Sequence, residues 1–404
     1  MANILYLVHR LPYPPNKGDK VRSFHLLKHL SERHRVFLGT FVDDPDDESY
    51  VETVRNYCAD VYVGHLNPRL ARLKSLVGLL TGEALTIPYY ADRGLRHWVD
   101  GVGRKHSLDA VVVFSSAMAQ YADFTKLPVL VDFVDADSAK WGQYATVRSW
   151  PMSWLFRREA NKLLEFERAM ARQSKRSFFV ADNEADLFRR LAPECGEVIE
   201  TLCNGVDTEY FAPRDDSPSP YSKAETVVVF TGAMDYWPNV DAVNWFAAEV
   251  MPKLRPKWPG LRFWIVGRNP ATPVRDLSGT DVVVSGTVPD VRPYLQYADV
   301  VVAPLRVARG IQNKILEAMA MARPVVASAG CVSALDATAG SELLAAETAE
   351  EFARAIDGIL SVPERAGDIG KAARQAVVER YSWSAHLSGI DRHLLALATT
   401  EGTA

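Results

Sequence analysis

The feature that most constrains this chain is a rhythm of short apolar runs. Runs rich in Val, Ile, Leu and Phe recur at residues 4–8, 36–38, 61–63, 110–114, 129–131 and 178–180, mostly separated by stretches long enough for a helix. Such runs mark strands buried on both faces, and connections of that length mark crossovers that return the chain to the same edge. The rhythm returns at residues 227–230, 263–266, 282–284, 300–303 and 324–327. The sequence therefore predicts two α/β domains, each a doubly wound parallel sheet. A length of 404 residues accommodates both. The joint is expected near Cys203-Asn204-Gly205-Val206-Asp207, because turn formers cluster over residues 213–222 and apolar periodicity stops there. Sheets of this kind bind ligands beyond the carboxyl ends of their strands, so two of them are expected to face an interdomain cleft lined by strand-to-helix loops.

Composition excludes several classes. Hydrophobic residues at 48% and charged residues at 24% fit a globular core and argue against disorder. A net charge of -4 gives no overall field for nucleic acid. Cys58, Cys195, Cys203 and Cys331 are scattered without metal-ligand spacing, so a reducing cytoplasm is expected and a zinc site is not. The first nine residues, Met1 to His9, lack the basic region and cleavage site of a signal peptide and read as a strand. The best membrane-span candidate, residues 73–90, is broken by Lys74, Glu83 and Pro88, so no crossing is expected.

The strongest chemical signal runs from Val301 through Pro304, Arg306, Arg309, Gly310, Ile311, Gln312, Asn313, Lys314 and Glu317 to Pro324 and Ala327. It reads as strand, loop, helix, strand. A polar loop ending in Gly310 and entering a helix gathers free backbone N–H groups at the positive helix end, which suits an anion. Lys314 adds a full charge, and Glu317, three residues on, shares its helix face. The lysine can then meet a phosphate while the carboxylate accepts hydrogen bonds from a ribose diol. Taken alone, the pair reads equally well as an exposed ion pair worth about 0.2–0.5 kcal/mol.

The surrounding pattern resembles the family 4 retaining glycosyltransferases of GT-B fold. Glu317-Ala318-Met319-Ala320 and Pro324-Val325-Val326-Ala327-Ser328 match the second part of that family's signature. Further matches are Asn204-Gly205-Val206-Asp207 with Phe211 and Pro213, Phe230-Thr231-Gly232, Val266-Gly267, Gly286-Thr287-Val288-Pro289-Asp290, Ala298-Asp299-Val300 and Tyr381-Ser382-Trp383. The stretch from Pro14 through Gly18 to Arg22 is similar to the family's first glycine loop, which closes over donor phosphates. The resemblance implies two Rossmann-like domains, an acceptor-binding one over residues 1–205 and a nucleotide-sugar-binding one over 206–380. It also implies that residues 381–404 return to the first. The reaction it implies is sugar transfer from a UDP- or GDP-linked donor, with retention of configuration and no metal. Gly310-Ile311-Gln312-Asn313-Lys314 with Trp237-Pro238-Asn239 resembles a branch linked to bacterial exopolysaccharide clusters and the exosortase (PEP-CTERM) system. The expected acceptor is accordingly a glycan or polyprenyl-linked molecule at the cytoplasmic face of the membrane, with no nucleic-acid partner.

The departures matter as much. Eight positions before Glu317 the family carries its first glutamate, which holds the donor sugar, and here Arg309 stands there. The Arg and Lys expected after Gly232 are missing from Ala233-Met234-Asp235-Tyr236-Trp237-Pro238-Asn239. Arg268, Arg306, Arg309 and Lys314 are the substitutes at hand, since guanidinium forks suit phosphate oxygens. Thr287 and Val288 are expected to frame the base, and Gly18 to approach a phosphate with Asp19 capping the following helix.

In the first half, Asp132, Asp135 and Asp137 fall at a strand end. Val134 replaces a family histidine near the donor sugar, leaving Asp135 as the matching acid. Asp135 and Arg309 are thus the residues expected nearest the reacting sugar. Asp135-Ala136-Asp137 also spells a metal-binding DxD, but it lies in the half away from the donor loops, and strand-end aspartates serve as turn formers.

Residues 148–176 carry eight Lys/Arg against three Glu with Trp150 and Trp154 near the start, and residues 69–80 interleave basic and apolar positions. Both patterns suit an anionic lipid surface, although Leu163, Phe166 and Met170 also have the spacing of a core-facing helix. Two rival readings stay open. One is a catalytically weak nucleotide-sugar-binding subunit; the other is a sugar-nucleotide epimerase.

Overall fold

The computed structural model describes residues 1–15, 18–124, 126–146, 148–214, 218–307 and 311–400. The chain divides into two units, residues 1–204 with the segment from His386 onward, and residues 205–385.

In the first unit seven strands form one sheet. They are β1 (Asn3–Val8), β2 (Arg35–Val42), β3 (Asp60–His65), β4 (Ala110–Phe114), β5 (Val129–Val134), β6 (Arg176–Phe179) and β7 (Ile199–Thr201). Their order is β3-β2-β1-β4-β5-β6-β7, and every pairing is parallel. β4 is buried along its whole length, because crossover helices cover both faces and leave no polar side for alternation. The apolar runs read from sequence are thus the sheet core.

The second unit has six parallel strands. They are β8 (Thr226–Thr231), β9 (Leu261–Val266), β10 (Val282–Gly286), β11 (Val300–Ala303), β12 (Val325–Ser328) and β13 (Leu344–Ala346). Their order is β10-β9-β8-β11-β12-β13. Val227 to Phe230, Val300 to Ala303 and Val325 to Ala327 are each at most 2% exposed. Sequence reading misses β7 and β13. Each is three residues long and closes a sheet edge, too short to show a period.

Val206 N–H donates to Tyr381 O at 2.7 Å, and Val206 bridges to Ser382, which keeps residues 381–385 with the second unit. The helix Trp383–Thr400 belongs to the first unit from His386 on. Leu387 and Ile390 are buried, and His29 Nε2 meets Asp391 Oδ1 at 2.9 Å while His393 Nε2 meets Glu200 Oε2 at 2.9 Å. Leu163 of the helix Met152–Gln173 is fully buried, with Phe166 and Met170 packed against the same core. That face of the basic segment is structural. Among the described residues no helix is long and apolar enough to cross a membrane.

Candidate functional site

An open parallel sheet offers its crevice where the winding reverses, beyond the strand carboxyl ends. In the second unit that point lies between β8 and β11, paired through Val228 with Val300 and Val229 with Val301. Gly232 follows β8, and the loop after β11 feeds the helix Asn313–Ala320 with Gln312 at its N-cap. Ile315, Leu316, Ala318, Met319 and Ala320 bury the inner face of this helix, which fixes Lys314 and Glu317 on the remaining one.

The floor of this crevice is backbone. Gly232 has φ 155°, and a Cβ there would sit 2.8 Å from Asn239 Nδ2 and 3.0 Å from Lys314 Nζ. Gly267, after β9, is tighter still, because its Cβ would fall 1.6 Å from Gly232 O. Only glycine lets the two strand ends approach this closely. Gly232 N–H donates to Val266 O at 3.0 Å and Gly267 N–H to Gly286 O at 3.2 Å, tying the ends of three strands together.

Lys314 does not pair with Glu317, so the surface ion pair allowed by the sequence is not formed. Its ammonium donates to Asn239 Oδ1 at 2.6 Å and stands 4.0 Å from the Phe230 ring centroid. The ring face and amide oxygen orient the charge without neutralising it. Asn239 is fixed in turn, donating from Nδ2 to Ala233 O at 2.9 Å. Burial pulls the lysine down to about 8, against the opposing pull of Glu317. Burial likewise pushes the Glu317 carboxyl up to about 7, with Lys314 acting the other way. Among the described residues the Glu317 carboxylate has no hydrogen-bond or ion-pair partner. A half-buried acid and base that both titrate near neutrality, one turn apart, are set to gain from a ligand that supplies a phosphate and a diol.

Other expected residues fall into place unevenly. Thr287 is exposed and Val288 half-buried, both following Gly286 at the end of β10. Arg268 is exposed after β9, and its carbonyl accepts from Met234 N–H at 2.8 Å. Arg306, offered as a substitute cation, is engaged by Asp241 through both Nε and Nη2. Ile311, Gln312 and Asn313 lead into the helix as expected. Arg309 and Gly310 lie outside the described residues. Sequence reading undervalues Phe230 and Asn239, which orient Lys314. The available signal was a glycine directly after each of two buried strand runs.

Gly18 and Asp135 belong to the first unit. Gly18 opens the helix Gly18–Arg33, and a Cβ there would meet no atom within 4 Å, so nothing in the fold demands glycine. Asp19 is not the helix cap expected; it lies in the first turn, and its carboxylate accepts from Arg10 Nη1 at 2.9 Å and faces His9 Nε2 at 3.5 Å. The His9 contact, with Arg10 added, holds this carboxyl far below the usual range. The guanidinium of Arg10 also grips Asp43 at 2.7 Å. His9 stacks on Phe114, with ring centroids 5.9 Å apart. Asp135 is taken by Lys140 Nζ at 2.6 Å. Val134 and Ser115, ending β5 and following β4, have φ of 68° and 77°, strained backbone for residues with a Cβ. Among the described residues no group of three or more His, Cys, Asp or Glu is placed to hold a metal ion.

Residues 225–361 match the family model described as glycosyl transferases group 1. That stretch holds β8 to β13 and the whole Gly232–Lys314–Glu317 arrangement. HepE of Anabaena, solved with UDP and glucose, superposes with a TM-score of 0.60 at 17% identity over 98% of this chain and 100% of that one. Sucrose-phosphate synthase of Thermosynechococcus elongatus gives 0.60 at 18% identity, over 98% and 100% of the two chains. WaaG, a glycosyltransferase involved in lipopolysaccharide biosynthesis, gives 0.54 at 15% over 96% and 98%. No curated protein matches the chain. The fold is GT-B, with two parallel-sheet α/β units.

Proposed function

We propose that this protein is a glycosyltransferase of the family 4 type whose second unit binds a UDP- or GDP-linked sugar. One observation carries the reading. Lys314 and Glu317 sit one turn apart at the β8/β11 switch point, above a glycine floor, each lacking an ionic partner. The ammonium and the first turn of the helix would bind the diphosphate, and Glu317 would accept hydrogen bonds from the ribose. Thr287 and Val288 would frame the base, with Arg268 reinforcing the phosphate field.

As the glycosidic bond breaks, negative charge grows on the leaving nucleoside diphosphate. Groups already oriented there stabilise the transition state more than the ground state. Phe230 and Asn239 supply that orientation for Lys314. The first unit would bind the acceptor, with Asp135 and Arg309 kept as the residues expected to act nearest the sugar and Gly18 as the expected phosphate contact. Asp135 is already held by Lys140, which suits a fixed anion better than a proton acceptor. The proposal extends to retention of configuration, metal-independent transfer, and a glycan or polyprenyl-linked acceptor of bacterial exopolysaccharide synthesis at the cytoplasmic membrane face.

The test is sugar transfer itself. Purified protein is incubated with a panel of nucleotide sugars and bacterial membrane lipids, and released nucleoside diphosphate and the anomeric NMR signal of the product are read. The expected result is release from one nucleotide class, retained configuration, and loss in Glu317→Ala. Binding without release from any donor would favour the subunit reading; an altered donor without an acceptor would favour epimerisation.

A further inference from the structure

The helices Pro68–Ser75 and Val77–Thr81, joined through Leu76, invert the usual amphipathic order. Their buried positions are small: Ala71, Ser75 and Gly78. Their large side chains face solvent. Leu70 is 64% exposed, Leu73 67%, Val77 45% and Leu80 88%, spaced so that they form one stripe. A second apolar group opens the helix Met152–Gln173, where Trp150 is 80% exposed and Trp154 55%.

Hydrogen bonds join the two groups. Arg158 donates to Gly78 O at 2.6 Å and Glu83 O at 3.0 Å, and Glu159 accepts from Leu85 N–H at 2.6 Å and Thr86 N–H at 2.9 Å. Trp154 lies one helical turn before Arg158, on the same side. A soluble monomer seldom leaves so many large apolar side chains together in water.

The charges identify what covers them. Residues 67–82 contain Arg69, Arg72 and Lys74 and no carboxylate; residues 148–158 contain Arg148, Arg157 and Arg158 and again none. Arg69, Arg72, Arg148 and Arg157 are exposed and form no salt bridge among the described residues. A two-fold contact with a second copy would set six basic side chains against their own copies, with the exposed Glu83 carboxylate beside them far too little to balance the charge. Phosphate headgroups supply the missing anions, and leucine with tryptophan suits the interfacial layer above the acyl chains.

We propose that this surface of the first unit docks onto an anionic lipid bilayer. The proposal rests on the reading above for its purpose, since a lipid-linked acceptor lies at such a bilayer, while its evidence and its test are independent of nucleotide binding. The full chain is floated with vesicles of equal parts phosphatidylcholine and phosphatidylglycerol, and with phosphatidylcholine alone.

Binding to the anionic vesicles is expected, weakening with salt and falling about fivefold for each of Arg69→Gln and Arg72→Gln. The double variant Leu73→Glu/Leu80→Glu should lose about a hundredfold or more. In these variants thermal unfolding and nucleotide affinity should match the parent chain. Absence of binding, or equal binding by the double variant, overturns the proposal. So does a concentration-dependent dimer in sedimentation velocity that the double variant dissolves, which would give the surface to a second copy. Loss of nucleotide binding in the parent chain would sink the transferase reading and leave this one standing.

Discussion

The two units share a winding and differ in what they do with charge at the strand ends. In the first, the strong charges at the strand ends are paired among the described residues. Arg10 holds Asp43 and Asp19, Lys140 holds Asp135, Lys20 holds Asp47 at 2.6 Å, and Arg22 holds Asp132 at 2.7 Å. In the second, Lys314 leans on a neutral amide and a ring, and Glu317 has no partner among the described residues. Paired charges hold a structure; half-buried charges without ionic partners favour a ligand that completes them. This contrast is what supports the proposed division, with donor binding in the second unit and scaffold and acceptor surface in the first.

The largest expected effect tests the scaffold side. Arg22 and Asp132 are 1% and 2% exposed, so Asp132→Ala leaves a buried guanidinium with, among the described residues, only Asn204 to accept from it. Urea unfolding should show a loss of about 3–5 kcal/mol. Nucleotide affinity of the folded fraction should be unchanged. A loss below about 1 kcal/mol would mean that the pair is not structural.

Next comes Glu317→Ala. Removing the carboxylate should weaken nucleotide binding about tenfold to a hundredfold, the scale of hydrogen bonds to a charged acceptor. Free protein should gain stability near pH 8, because the half-buried carboxylate is held charged there at a cost. Weaker binding with a more stable fold separates a functional residue from a structural one. A variant both less stable and unchanged in affinity would reverse the contrast between the units.

The pH dependence sharpens it further. Glu317, at about 7 in the fold against 4.5 ordinarily, binds its proton more tightly when folded, so its contribution to stability falls as pH rises from about 4.5 to 7. Lys314, at about 8 against 10.5, has the opposite slope: stability rises from about pH 8 to 10.5 as the folded form sheds its proton first. A nucleotide needs the carboxylate ionised and the lysine charged. Affinity should therefore peak between about pH 7 and 8, and Glu317→Gln should erase the acid limb alone. A flat profile from pH 6 to 9 would contradict both assignments.

The two glycine substitutions follow, Gly232→Ala before Gly18→Ala. The positive φ of Gly232 and its contacts with Asn239 and Lys314 should cost about 1–2 kcal/mol of stability, and displacing the ammonium should weaken nucleotide binding several-fold. Gly18→Ala, with open space around it, should leave stability within about 0.5 kcal/mol of the parent chain.

Sequence reading reaches the strands because burial on both faces writes itself as unbroken Val and Ile. It stops at β7 and β13, where three edge residues carry no period. It reaches Lys314 and Glu317 through their spacing on a helix. It does not reach what surrounds them, since the Asn239 amide lies 75 positions from Lys314 in the chain. It also offers Arg306 as a phosphate ligand and Asp19 as a cap. Their actual partners, Asp241 and Arg10, are set by loop geometry rather than by local pattern.

The most direct test of the central claim is calorimetric titration of UDP and GDP into the full chain near pH 7.5, repeated with Glu317→Gln and Lys314→Ala. The account predicts saturable binding of one of the two nucleotides and tenfold or greater weakening in both variants. Binding that neither substitution alters, or no binding of either nucleotide by the parent protein, would contradict it.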